Sequence, residues 1–275
     1  MPLVSFSPRL PDSIWEIVVS RLTRRGVPSR LIEELRTNAA GEFRSLLLYG
    51  SWARGDADEF SDLDVLAVDH TGAIPRRGGD VSLSSYSTGE LAEATGTLFG
   101  HHLSRDGVIL YDPDGVLATV LSEIEPPAPG TVHTRIRSLS SVLDVTEVDR
   151  TTYLNGLTQV ARYLLRSALY AEALDAGSPC YSVREIAARC ADPELETILS
   201  SHENKRPPAS LDVLDDLTSR LRQAVGDLAA NPFGSLHGLI EGTWAENREL
   251  SNFATLCLPR DGDDLPYDEL PKVVL

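Results

Sequence analysis

Ser45-Leu46-Leu47-Leu48-Tyr49-Gly50-Ser51 and, ten residues on, Asp62-Leu63-Asp64-Val65-Leu66-Ala67-Val68 are the two segments from which the rest of the chain is read. Each is a short apolar run of strand length, and the first ends abruptly in Gly-Ser. A strand that breaks at Gly50-Ser51 and turns into a helix from Trp52 offers backbone N–H groups and a hydroxyl to an incoming phosphate. Asp62 and Asp64 are one residue apart, so on a strand both carboxylates share a face while Leu63 and Val65 point to the other. Two carboxylates about 7 Å apart on one face repel each other unless a cation sits between them. Mg2+ is the expected cation, because it takes oxygen ligands and bridges one or two protein carboxylates to substrate phosphates.

Outward from this pair, Ile14, Ile17, Val18 and Leu22 fall at helical spacing behind Pro11-Asp12-Ser13, and Leu31, Ile32 and Leu35 repeat the pattern after Pro28-Ser29. These predict two opening helices, and the apolar run predicts a strand over 43–49. A Gly- and Pro-rich turn over 72–79 leads to Asp80-Val81-Ser82-Leu83-Ser84-Ser85-Tyr86, whose alternation predicts a third strand. If that strand neighbours 62–68, Asp80 lies beside the acidic pair as a third carboxylate, a metal ligand or a general base. Ser87-Thr88-Gly89-Glu90 has the form of a capping box, which predicts a helix through Leu98. Residues 107–111 read as a further strand.

Glu125-Pro126-Pro127-Ala128-Pro129-Gly130 blocks both helix and ladder and marks the boundary between domains. Beyond it, Leu154, Leu157, Ala161, Leu164, Leu165, Ala168 and Leu169 predict one long core helix over 149–176. Further helical patterns lie near 182–190, 192–201, 210–229 and 235–256, which together read as an all-helical bundle. The expected organisation is α+β: a mixed β-sheet flanked by helices over 1–125, a helical bundle over 126–258, and a loose acidic tail over 259–275.

The balance of 25 Lys+Arg against 41 Asp+Glu gives a net charge of -16. A nucleic-acid partner is disfavoured, because polyanion binding draws its affinity from a basic face. An acidic surface either concentrates cationic ligands or simply keeps the protein soluble. The three cysteines form no Cys-x-x-Cys pair, and no segment has the apolar length to cross a bilayer, so the expected location is cytoplasmic with no membrane partner.

Gly50-Ser51, the ten-residue interval and Asp62-Leu63-Asp64 resemble the signature of the polymerase-beta-like nucleotidyltransferase superfamily. The intervening Trp52-Ala53-Arg54-Gly55-Asp56-Ala57 is similar to its small antibiotic and toxin-antitoxin members. The resemblance covers 43–85 and implies a nucleotidyltransferase fold, with two Mg2+ ions held by three carboxylates. It implies that Gly50 and Ser51 hold a nucleoside triphosphate, with ATP the expected one, and that Asp62 and Asp64 ligate metal. Asp80 corresponds to the third carboxylate by strand order. The helical second half resembles the bundles of aminoglycoside nucleotidyltransferases.

Other residues bear on the same expectation. Arg54, four residues after Gly50, is a candidate to meet the triphosphate, or else a solvated loop arginine. Arg162 and Arg166 share a helix face and either reach toward a substrate or form a salt-bridged surface. His101-His102, read as strand residues, point to opposite faces and do not share an ion. Trp244 with Glu241, Glu246 and Glu249 reads as an anchored surface helix or a cationic pocket. The functions to be separated are AMP transfer to a hydroxyl of a small cationic molecule such as an aminoglycoside, modification of tRNA or a protein, and nucleotide or partner binding without turnover. A ribonuclease role for the helical half, which would need Arg followed by His after four to six residues, finds no such pair at His202 or His237.

Overall fold

Why Asp64 comes to stand against a glycine corner is a matter of how five strands are ordered. The computed structural model describes residues 11–39, 43–68, 76–200 and 205–258. The chain divides into two units, Met1–Pro126 and Pro127–Leu275. The described residues are mixed α and β, with the strands confined to the first unit.

In the first unit the elements run α1 (Asp12–Arg24), α2 (Ser29–Asn38), β1 (Ser45–Tyr49), α3 (Gly50–Arg54), β2 (Leu63–Val68), β3 (Arg76–Gly78), β4 (Val81–Tyr86), α4 (Thr88–Ala92), α5 (Leu98–Asp106), β5 (Val108–Tyr111) and α6 (Val116–Glu123). The sheet order is β3-β4-β2-β1-β5. β1 lies antiparallel to both β2 and β5, while β2 and β4 run parallel, so the sheet is mixed. Helices flank both faces. Leu46, Leu48, Leu63, Val65, Val81 and Leu83 pack with Trp15, Val18, Leu22, Leu31 and Leu35 of α1 and α2. Leu47, Tyr49, Leu66 and Val68 pack on the other side with Leu91, Leu103, Leu117 and Leu121 of α4, α5 and α6. Burial on both faces explains why β1 and β2 read as continuous apolar runs.

Local chemistry fixes several of these elements. Ser87 and Glu90 form the expected capping box, each side chain bonded to the other's backbone N–H. The helix that follows is short, and Thr97 starts a second one by accepting from Gly100 N. His101 and His102 therefore lie on helix α5, which corrects their reading as strand residues. β3, in the segment read as a turn, is an additional edge strand. α6 is capped from a distance: Asp112 accepts from the backbone of Leu117 and Ala118 and from the Ser45 hydroxyl.

The second unit is helical throughout its described residues: α7 (Thr131–Leu139), a 3-10 turn (Ser140–Leu143), α8 (Glu147–Thr152), α9 (Leu154–Asp175), α10 (Val183–Arg189), α11 (Glu194–Ile198), α12 (Leu211–Val225), α13 (Leu236–Thr243) and α14 (Arg248–Thr255). The helix expected over 149–176 is two, broken at Tyr153, and that expected over 235–256 is also two, because Asn247 caps α14 by accepting from Leu250 N. α9 is the central element, with Leu157, Val160, Ala161, Leu164, Leu165 and Ala168 all buried. Leu214, Leu217 and Leu221 line the buried face of its main neighbour, α12. Burying that many aliphatic side chains, each contributing about 1.5–3 kcal/mol, gives this unit a core of its own. No described helix is long and apolar enough to cross a membrane. The acidic tail over 259–275 lies outside the described residues.

Candidate active site

The β1–α3 corner turns on Gly50. Its φ of +74° lies in the left-handed region that side chains disfavour. A Cβ at this position would collide with Oδ2 of Asp64 and stand 3.3 Å from its Cγ. The antiparallel register explains the approach: Tyr49 pairs with Asp64, so the next residue, Gly50, begins its turn alongside that carboxylate. Only a residue without a side chain lets the corner come this close.

Asp64 is the second residue of β2, and Asp62 immediately precedes the strand. Their alternation places both on the face that carries Leu66 and Val68, the side covered by α4 to α6. Both are half-buried, as is Ser51. The loop that delivers them is held by its own bonds. Asp58 Oδ1 accepts from Phe60 N at 3.0 Å and from the Ser61 hydroxyl at 3.1 Å, and the Ser61 hydroxyl oxygen accepts from Asp58 N at 2.9 Å. Trp52 Nε1 donates to Ser61 O at 3.3 Å, tying α3 to the same loop. The carbonyl of Ser51 accepts from Gly55 N and Asp56 N, closing the far end of α3.

Asp80 takes a different position from the acidic pair. Its carbonyl accepts from Leu63 N at 2.8 Å, so the expected adjacency of the strands is real. Its carboxylate, 53% exposed, lies 2.6 Å from Arg30 Nη1 on α2, the helix covering the opposite face of the sheet. Glu34 holds the backbone of the same residue by accepting from Asp80 N. The strand residue in register with Asp64 is Ser82, itself buried. Among the described residues no group of three His, Cys, Asp or Glu side chains is placed to hold a metal ion. Of the three carboxylates expected together, Asp64 stands at the corner, Asp62 directly precedes its strand, and Asp80 is paired with Arg30. Two hard oxygen donors on one face, beside a backbone corner, still match in kind what Mg2+ takes from a protein when substrate oxygens complete its shell.

Arg54, at the end of α3, is neither a solvated loop residue nor turned out toward solvent. Its Nη2 is 3.2 Å from Asp56 Oδ1, and its Nη1 is 3.2 Å from His102 Nε2 on α5. The His102 ring meets Tyr49 edge-on. Asp106 Oδ2 lies 3.9 Å from the same His102 Nε2. Burial pushes the Asp106 carboxyl above the usual carboxylate range, with Asp56 adding to this and Arg105, Arg54 and His101 opposing it. This ring of groups was not read from the sequence; its signal was Thr97 as a helix cap, which puts His102 and Asp106 one turn apart.

In the second unit Arg162 and Arg166 are buried on α9, not spread on a salt-bridged surface. Arg162 Nε donates to Ile198 O at 2.6 Å, and the charge of Arg166 acts on buried Tyr163, whose hydroxyl burial pushes up. Trp244 is 55% exposed with the Arg248 guanidinium 5.6 Å over its ring, and Glu249 pairs with Arg135. The group over the Trp244 ring is thus a cation, and Glu249 is paired with Arg135. Set against known proteins, the chain is matched by no family model and by no curated protein.

Proposed function

We propose that the β1–α3 corner and the pair Asp62 and Asp64 form the active site of a Mg2+-dependent nucleotidyltransferase, with the first unit as a nucleotidyltransferase fold and the second as its helical bundle. The observation that carries this reading is the packing of Gly50 against the Asp64 carboxylate, because it sets a phosphate-accepting backbone beside metal-holding oxygens. The amides of Gly50 and Ser51 and the Ser51 hydroxyl bind the triphosphate of an NTP, with ATP as the first choice. α3 has only five residues, so its contribution is oriented N–H groups more than a macrodipole. Asp62 and Asp64 hold the cation and fix the α-phosphorus in line with an acceptor hydroxyl. Mg2+, when bound, supplies charge neutralisation on the triphosphate and the departing pyrophosphate.

The hydroxyl oxygen forms a bond to the α-phosphorus, the bond from that phosphorus to the bridging oxygen of pyrophosphate breaks, and the hydroxyl proton leaves to water. The acceptor class that best suits a chain of net charge -16 is a small cationic molecule such as an aminoglycoside. Incubation with Mg2+, labelled NTPs and separate aminoglycoside, bulk tRNA and lysate acceptors tests this. Labelled aminoglycoside supports the reading, while labelled tRNA or a labelled protein moves the acceptor class. Transfer that survives both Asp62→Ala and Asp64→Ala would overturn the assignment. A second reading, nucleotide binding without turnover, is favoured by the engagement of Asp80 with Arg30 and by Ser82 beside Asp64. It predicts saturable ATP binding with no label transferred to any acceptor.

A further inference from the structure

Resting on the reading just given, we propose that His102 is a positioning residue for the nucleotide corner: its unprotonated Nε2 accepts a hydrogen bond from Arg54 and so fixes helix α3, on which Gly50 and Ser51 sit. A guanidinium has only donors, so at 3.2 Å from Arg54 Nη1 the His102 nitrogen is the acceptor and carries no proton. Arg54 is the last residue of α3, and Gly50 is the first. The clip therefore ties the end of that helix to α5, while Asp56 holds the other side of the same guanidinium.

Protonation reverses the contact. An Nε2–H faces an N–H donor of like charge, and Asp106 Oδ2, 3.9 Å away on the next turn, is a carboxylate acceptor beside it. Around the ring stand Arg54 of α3, Tyr49 of β1 and Asp106 of α5, and the carboxylate of Asp106 is in turn acted on by Arg105, Arg54, His101 and Asp56. Asp106 is held above the ordinary carboxylate range chiefly by burial, and a positive neighbour opposes that shift by favouring its charged form. The acidic side of the imidazole range should accordingly transfer His102 from Arg54 to Asp106 and loosen α3.

Two measurements test this together. The Arg54 Nε–H signal in 15N NMR reads the clip without nucleotide: it should shift with the titration of His102 in the wild type and stay still in His102→Gln, which keeps a neutral acceptor. Calorimetric titration with Mg-ATP reads the consequence. Wild-type affinity should fall about tenfold between about pH 8 and about pH 5.5, beyond the fall seen in His102→Gln, and His102→Phe should bind about tenfold weaker than His102→Gln at the higher pH. An Arg54 signal indifferent to His102, or the same pH profile in the wild type and His102→Gln, overturns the proposal. Failure of the wild type to bind Mg-ATP at any pH instead removes the nucleotidyltransferase reading on which it rests, and the functional role of the clip with it.

Discussion

Two places in the molecule gather carboxylates, and they do so in opposite ways. In the helical unit, Asp192, Asp216 and Glu194 close around the guanidinium of Arg220, with Asp216 Oδ1 2.9 Å and Glu194 Oε2 3.1 Å away and Asp192 in direct contact. In the sheet unit, Asp64, one residue beyond Leu63 from Asp62, packs its carboxylate on Gly50, a residue that brings backbone and no side chain. The first arrangement satisfies its charges within the fold and ties α11 and the segment before it to α12. The second sets acids against a corner whose approach costs a left-handed backbone at a specific glycine. Acids collected around a cation of the protein form a strut; on the proposed function, the acid set against a glycine corner is left to meet a ligand.

That contrast can be broken by substitution. Asp62→Asn and Asp64→Asn should each reduce label transfer on the order of 10³-fold with little change in melting temperature, since each keeps the shape and loses the charge. Equal loss of stability and activity would make these residues structural instead. Gly50→Ala should cost about 3 kcal/mol in chemical denaturation, combining left-handed strain with the collision at Asp64. Gly55→Ala is the control: its φ is +84°, yet an added Cβ meets nothing within 4 Å, so it should cost only the strain of about 1 kcal/mol. Similar costs at the two positions would mean that the close approach is unimportant.

Arg220→Ala should destabilise by about 1–2 kcal/mol, by leaving three acids facing one another, and leave transfer unchanged. Asp80→Asn, which removes an exposed ion pair, should change stability by less than about 1 kcal/mol and transfer by less than about threefold. A large loss of transfer would return Asp80 to the catalytic set. The smallest effect is one of pH. Partial burial raises the Asp112 carboxyl, but hydrogen bonds from Ala118 N, the Ser45 hydroxyl, Leu117 N and Val116 N outweigh it and bring the pKa below 3.8. Its stabilisation is therefore present above that value and lost as pH falls through the lower folded one, so melts of Asp112→Asn should show a shallower acid decline than the wild type.

Much of the corner was legible in sequence because its determinants are local. Apolar runs placed β1 and β2, Gly-Ser marked the end of the first, and the single residue between Asp62 and Asp64 fixed their common face. The capping box at Ser87 was legible for the same reason. The ion pair of Asp80 with Arg30 was not, because it reaches to a helix some fifty residues earlier, a tertiary contact with no trace in the alternation of its strand. β3 was hidden by the Gly and Pro around it, and α6 because its capping acid, Asp112, stands four residues before the first helical position. The breaks at Tyr153 and Asn247 were missed because apolar spacing continues across both. The ring of Arg54, Asp56, His102 and Asp106 is assembled from two helices and a loop, which no single periodicity describes.

The position of β2 carries one more consequence. It lies third in a five-stranded sheet, hydrogen-bonded on both sides and covered on both faces. Amides in such a strand exchange with solvent only when the whole unit opens, so Asp64 sits on a segment that local breathing scarcely reaches. Asp64 is thereby a fixed reference point of the fold, and any change of spacing at the corner falls to the loop and α3 that meet it.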